Sequence, residues 1–389
     1  MLRSIPFIYN AKEAALVRQY YQDADVIRVG LDSLDKVGAL PPKSGVWVDG
    51  AVDGLDVSPT ANPVGKWETY IRKFPGWDKV ADATFHEKPT KGVVDGFVRA
   101  ILDACFKAHP KALWLSVPQL PAATGNGRNK INKALADATA GWRSKARFHG
   151  KLILPVILRR QEQANLKTNR TRKIDLAAQC YERAGADGYW VVESSLSDQK
   201  GEGTFEKKRF PGLVRFHEEI AARMPKEAIS IAGPYWGMNL VLWARGLVSH
   251  PAIGVGGRYQ YHVPGGPGKP PKIRVALAPL RRWAIWSPKL QQWLGQAPKD
   301  DPALNELRDL LKDFSRFGTE EQARAQIAEF YRGWLGTLES VAPSGRSFAL
   351  YQDLSSAYVL GKGLPNLPDD EKTARRPERV AEQLMLQCL

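Results

Sequence analysis

The chemistry of this chain starts with acids set just past apolar runs. Val46–Val48 leads into Asp49-Gly50, then Asp53-Gly54 and Asp56. A carboxylate that ends a buried strand can serve as nucleophile or general base, and a glycine after it lets a substrate approach closely. An acidic loop that only caps a turn would show the same residues. Further on, Tyr189–Val192 ends in Glu193, followed by Ser194, Ser195 and Ser197. Glu193 is a candidate to hold a base or shuttle its proton; the alternative is a cap for the next helix.

Amides, cations and aromatic rings alternate with these acids at the ends of other apolar runs. Leu113–Val117 leads to Pro118-Gln119, and Leu152–Leu158 leads to Arg159-Arg160-Gln161. Ile229–Ala232 opens into Gly233-Pro234-Tyr235-Trp236-Gly237, and Ile253–Val255 into Gly256-Gly257-Arg258-Tyr259-Gln260-Tyr261-His262. Gln119 and Gln161 are candidates to bind a base. Tyr235, Trp236, Tyr259 and Tyr261 are candidates to stack on one, with sealing of a core as the alternative for the first two. Arg159, Arg160, Arg258, Lys272 and Arg274 are candidates to grip phosphates.

The charge distribution points the same way. Between Ala228 and Lys299 there is no Asp or Glu, yet nine Lys and Arg and eight Trp and Tyr. The whole chain carries a net charge of +15. An uncompensated positive field set among aromatic faces suits a polyanion, nucleic acid before an anionic membrane surface. No apolar run approaches the ~20 residues of a membrane span. The N-terminus lacks the apolar stretch of a secretory signal, so a cytoplasmic setting is expected. The three cysteines, Cys105, Cys180 and Cys388, stand far apart, and the six histidines show no ligand spacing. Neither a metal site nor a cofactor is expected.

Positioning these groups requires a scaffold, and its rhythm is visible. Apolar runs begin at Val26, Val46, Leu113, Leu152, Tyr189, Ile229, Ile253 and Ile273, with amphipathic stretches Asn129–Arg147, Arg170–Ala184, Leu213–Met224 and Met238–Leu247 between them. Strands alternating with helices imply parallel βαβ units, and about eight of them predict a closed (β/α)8 TIM-type barrel. A doubly wound sheet is the alternative, but no GxGxxG turn follows an early strand. The barrel is expected over residues 1–289, with a helical C-terminal appendage over 290–389. Asp300–Ser340 has helical periodicity and no clear strand, and a last short helix is expected at Arg379–Cys388. Partner proteins would dock through these C-terminal helices.

The order of these elements resembles the tRNA-guanine transglycosylases and their relatives that insert 7-deazaguanine bases into DNA. The resemblance spans roughly Gly45 to His262. It rests on Val46-Trp47-Val48-Asp49-Gly50, on the basic helix with Trp142 and Arg143, and on Leu154-Pro155-Val156-Ile157 followed by Arg159-Arg160-Gln161. Ala184-Gly185-Ala186-Asp187-Gly188-Tyr189 and Ala244-Arg245-Gly246-Leu247 complete it. Three features depart: the strand after Leu247 reads Ala252–Arg258 with no carboxylate, the zinc-binding cysteine cluster is absent, and the glutamine–glycine turn is Arg160-Gln161-Glu162. The glycine-rich, arginine-ending strand is closer to the DNA-modifying relatives. The resemblance implies exchange of a guanine-type base in DNA or RNA, with a free purine-type base as second substrate. Asp49 or Asp53 would then be the nucleophile or acid/base partner, and Glu193 would serve the base. Two other classes fit the composition: a barrel that binds nucleic acid within a modification or defence system without reacting, and a glycoside hydrolase with paired carboxylates.

Overall fold

The computed structural model describes residues 4–50, 70–123, 125–158, 166–193, 196, 204–255, 273–296, 302–317, 320–368 and 375–389. Eight parallel strands close into a barrel in chain order. They are β1 (Ile5–Ile8), β2 (Val26–Gly30), β3 (Gly45–Asp49), β4 (Trp114–Ser116), β5 (Lys151–Leu158), β6 (Gly188–Glu193), β7 (Ile229–Ala232) and β8 (His250–Gly254). Helices alternate with them: α1 (Ala11–Tyr20), α2 (Trp77–Ala81), α3 (Lys91–Ala108), α4 (Asn126–Ala146), α5 (Leu166–Ala184), α6 (Thr204–Arg223) and α7 (Met238–Ala244). The protein is therefore an α/β barrel of the TIM type, followed by C-terminal helices.

The sequence produces this arrangement because parallel strands are covered on both faces and read as near-continuous apolar runs. In β6, Gly188-Tyr189-Trp190-Val191-Val192-Glu193 is buried along its whole length. The helices carry one apolar stripe instead. α3 buries Val94, Phe97, Val98, Ile101, Leu102 and Cys105, the three-and-four spacing of a single helix face. At the start of α1, the Asn10 side chain accepts a hydrogen bond from the Glu13 amide, and the Glu13 carboxylate accepts one from the Tyr9 amide at 2.6 Å. Together these satisfy amides that the first helical turn leaves open.

One strand differs from expectation. β1 closes the barrel by pairing with both β2 and β8. The run beginning at Ile273, expected as a barrel strand, instead contributes β9 (Arg274–Leu277), which pairs antiparallel with β10 (Arg282–Ile285) in a separate two-stranded sheet. Pro6 falls inside the four residues of β1, and proline argues against a strand paired on both sides. That is why the closing strand is hard to see in the sequence.

After β10 come α8 (Pro288–Gly295), α9 (Pro302–Phe317), α10 (Glu320–Glu339), α11 (Arg346–Lys362) and α12 (Arg379–Met385). Tyr331, Trp334 and Leu335 of α10 and Val380 and Leu384 of α12 belong to the same buried cluster as the barrel's outer face. A smaller cluster joins β9, β10, α8 and α9. Among the described residues no helix is long and apolar enough to cross a membrane.

Candidate active site at the barrel mouth

Alternation along the strands decides which side chains enter the barrel. Phe7, Trp47, Trp114, Ile153, Ile157, Trp190, Val192 and Ile231 form the interior cluster. Phe7 lies opposite Arg28, Arg28 opposite Trp47, and Gly30 opposite Asp49. Counting in twos from Trp47 and from Val26, Asp49, Arg28 and Gly30 all face inward, at the C-terminal ends of β2 and β3. That end of a parallel barrel is where reactive groups converge.

Aromatic rings fill the space beneath them. Ring centroids lie 5.6 Å apart for Phe7 and Trp47, 5.3 Å for Phe7 and Trp190, and 5.5 Å for Trp47 and Trp190, each pair edge to face. Trp114 extends the group at 6.0 Å from Trp47. The indole N–H of Trp47 donates to Ser116 Oγ at 2.9 Å, and that of Trp190 donates to the Gly233 carbonyl at 2.6 Å. The rings make an apolar floor on which the Trp47 and Trp190 N–H groups are satisfied.

On this floor rests an ion pair between Arg28 and Asp49, with the two side chains 1% and 0% exposed. The Arg28 guanidinium lies 4.8 Å from the centre of the Phe7 ring, 5.2 Å from Tyr9 and 5.4 Å from Trp190. This cage of π faces compensates part of the cost of burying a cation. Asp49 uses Oδ2 for the guanidinium. Its other oxygen, Oδ1, is buried with no hydrogen-bond partner among the described residues. An unmade bond on a buried carboxylate costs about 1–3 kcal/mol or more.

A second carboxylate reaches the same mouth. Asp32 follows β2 in a short 3-10 turn, Leu31–Lys36. A side chain added at Gly30 would come within 2.7 Å of Asp32 Oδ1. The carboxylate of Asp32 therefore occupies the room that glycine leaves on the inward face of β2. Burial raises the Asp32 pKa; Arg28, a hydrogen bond with Ser33 and Lys36 pull it down, and the charge of Asp49 pushes it up. Tyr9, half-buried after β1, completes the described wall around Arg28.

The structure redistributes the residues singled out from sequence. Asp49 stands where it was expected. Glu193 does not join it. Trp190 and Val192 face the barrel interior, so Glu193, like Tyr189 and Val191, faces the helices, where it is fully buried and paired with Arg209 of α6. Its backbone amide donates to Tyr235 Oη at 2.7 Å. A role for Glu193 at the base is thus corrected to a buried tie between β6 and α6.

Gln119 is likewise corrected. Its amide donates to the Asn132 carbonyl at 3.0 Å, and Asn132 clasps the Leu120 amide and carbonyl at 2.9 and 3.0 Å, so it anchors the loop after β4 to α4. Trp236 is fully buried against the C-terminal helices, with Phe330 stacked at 5.9 Å and Tyr331 at 5.4 Å, and donates to the Arg281 carbonyl. Tyr235 is fully buried too, so the alternative of sealing a core describes both rings. Arg274 stands on β9 outside the barrel, 4.3 Å over the Trp283 ring. Asp53, Arg159, Arg160, Gln161, Arg258, Tyr259, Tyr261 and Lys272 lie outside the described residues.

Arg28 and Asp32 are the site residues that the sequence reading lacks. A lone arginine inside Val26-Ile27-Arg28-Val29-Gly30 is itself a signal, because a charge in a strand buried on both faces needs a partner inside. Asp32 carries no such mark; within Leu31–Lys36 it reads as an ordinary turn acid. Away from the mouth, His217 of α6 is fully buried with neither ring nitrogen hydrogen-bonded among the described residues, and burial pushes its pKa down to about 3. Among the described residues no group of three or more His, Cys, Asp or Glu is placed to hold a metal ion. Comparison with known proteins finds no matching family model and no matching curated protein.

Proposed function

We propose that this barrel acts on nucleic acid as a transglycosylase-like enzyme that exchanges or modifies a guanine-type base in DNA or RNA. The observation that carries the reading is Asp49 Oδ1, a carboxylate oxygen without a partner among the described residues, over an aromatic floor at the C-terminal end of the barrel strands. A carboxylate held by a guanidinium on one oxygen presents the other for attack on the anomeric carbon of a sugar. The aromatic floor excludes water from below, which favours transfer to a second base over hydrolysis. The charge of +15 and the acid-free segment from Ala228 to Lys299 supply the attraction for a phosphate backbone.

The resemblance in element order supports the same chemistry. One of its departures favours a second reading, a barrel that binds nucleic acid without reacting: β8 and the residue after it, His250–Val255, carry no carboxylate. The glycoside hydrolase reading loses part of its support, because Trp236 and Trp334 are buried against the C-terminal helices and do not line a sugar groove.

The test is incorporation of radiolabelled guanine into a guanine-containing DNA oligonucleotide and into its RNA counterpart, alongside a binding titration. Exchange into either polymer supports the enzyme. Salt-sensitive binding without any exchange supports the binding subunit, and absence of both removes the nucleic-acid reading.

A further inference from the structure

We propose that Asp32 is the proton carrier of this site: it protonates the departing base and later takes the proton from the incoming one. The inference rests on the base-exchange reading above and adds a catalytic residue that neither the motifs nor the resemblance assigns.

Three observations place it. Gly30 lies directly opposite Asp49 in the β2–β3 ladder, and Asp32 Oδ1 lies against the bare inward side of Gly30. The two carboxylates therefore come together over adjacent strand ends. Both feel Arg28, the residue two positions before Gly30 on the same inward face. Their surroundings then divide them. Asp49 is fully buried and ion-paired, whereas Asp32 is only half-buried and its shift is dominated by desolvation. The charged groups that act on Asp32 are Arg28, Lys36 and Asp49, and Tyr70 is close enough for its own ionisation to register Asp32. Two carboxylates in such different surroundings, one fully buried against a guanidinium and the other half-buried beside it with its pKa raised by desolvation, can divide the roles of nucleophile and acid.

The steps balance. Asp49 Oδ1 bonds to the sugar C1′ as the bond from C1′ to the base nitrogen breaks. That electron pair passes to the base, which takes the proton of the Asp32 carboxyl and leaves neutral. The Asp32 carboxylate then removes the ring N–H proton of an incoming base. The freed nitrogen attacks C1′, and the C1′–O bond breaks with its electron pair returning to Asp49. Asp32 ends protonated, as it began.

A departing base that is already cationic needs no proton, and this makes the proposal testable. The experiment compares release of guanine with release of 7-methylguanine from otherwise identical oligonucleotides by wild type, Asp32→Asn, Asp32→Glu and Asp49→Asn, with melting curves for each. Asp32→Asn is expected to slow guanine release by about 100-fold or more, the usual contribution of a general acid. It is expected to slow 7-methylguanine release by less than about tenfold, and Asp32→Glu to restore much of the guanine rate. Asp49→Asn is expected to lose both. If Asp32→Asn slows both bases equally, or neither, while the wild type is active, the proton-carrier role is overturned and the base-exchange reading stands. If the wild type releases neither base, that reading falls and the role of Asp32 falls with it.

Discussion

Arg28 and Asp49 sit on neighbouring strands and form an ion pair inside the barrel, where the carboxylate keeps one oxygen without a partner among the described residues. Neither side chain has water to retreat to. The pair is therefore costly to break from one side and cheap to replace as a unit. Removing one partner of such a pair costs about 3–5 kcal/mol, whereas exchanging both for apolar residues of similar volume is often neutral or stabilising.

Asp49→Asn and Arg28→Met should each lower the melting temperature by several degrees, while Arg28→Met combined with Asp49→Leu should recover most of that loss and show no base exchange. Thermal denaturation with a parallel activity assay checks this. A double variant that is both stable and fully active would make the pair purely structural.

Stability should also fall with acid through His217. Burial holds its folded pKa near 3, while in the unfolded chain it is about 6.5. The unfolded chain therefore takes up the proton first. The neutral form's contribution is fully present above about pH 6.5 and is lost as the pH falls towards 3, at up to about 1.4 kcal/mol per pH unit. His217→Phe should flatten this dependence in urea titrations run from pH 7 to pH 4.5. Equal slopes for the variant and the wild type would show that His217 is protonated or partnered in the folded protein.

Trp236 should behave as a core residue. Trp236→Ala removes a ring packed on Phe330 and Tyr331 and should cost about 3–5 kcal/mol. Tyr331→Phe takes the hydroxyl from the Gly237 amide, 3.1 Å away, and should cost about 1–3 kcal/mol. Nucleic-acid affinity of the folded variants should stay within about threefold of wild type. A loss of about 1–3 kcal/mol in binding from Trp236→Ala, the size of one stacked base, would return it to a base-stacking role.

Binding itself should be steeply salt-dependent. If four to six phosphates are neutralised, the slope of log K against log salt should be about −3 to −5. Arg159→Ala and Arg258→Ala should each make the slope shallower by about one without changing the melting temperature. Affinity that is flat between low and moderate salt would contradict a polyanion partner.

The barrel is legible in the sequence because β-branched runs and amphipathic stretches alternate at the spacing of βαβ units. Its closing strand is not, since Pro6 disguises Ile5–Ile8 and the run at Ile273 imitates a barrel strand. Asp49 is legible as a strand-ending acid. Glu193 looks equivalent, but Tyr189-Trp190-Val191-Val192 is apolar on both faces, so the sequence does not say which parity enters the barrel. Only closure settles it, turning Trp190 inward and Glu193 out to Arg209. Asp32 is invisible for a different reason. Its significance comes from the empty side of Gly30 and from Asp49 on the next strand, and neither proximity is local in sequence.

Reaction of Asp49 with the sugar can be seen directly by capturing the covalent complex. Wild type incubated with a labelled guanine-containing oligonucleotide and quenched in denaturant should show a protein–nucleic acid band whose adduct maps to the peptide containing Asp49. Free guanine should chase the band away. Asp49→Asn should give no band, and Glu193→Gln should still form it when folded. A band that persists in Asp49→Asn, or exchange in the wild type with no adduct on Asp49, would rule out Asp49 as the nucleophile.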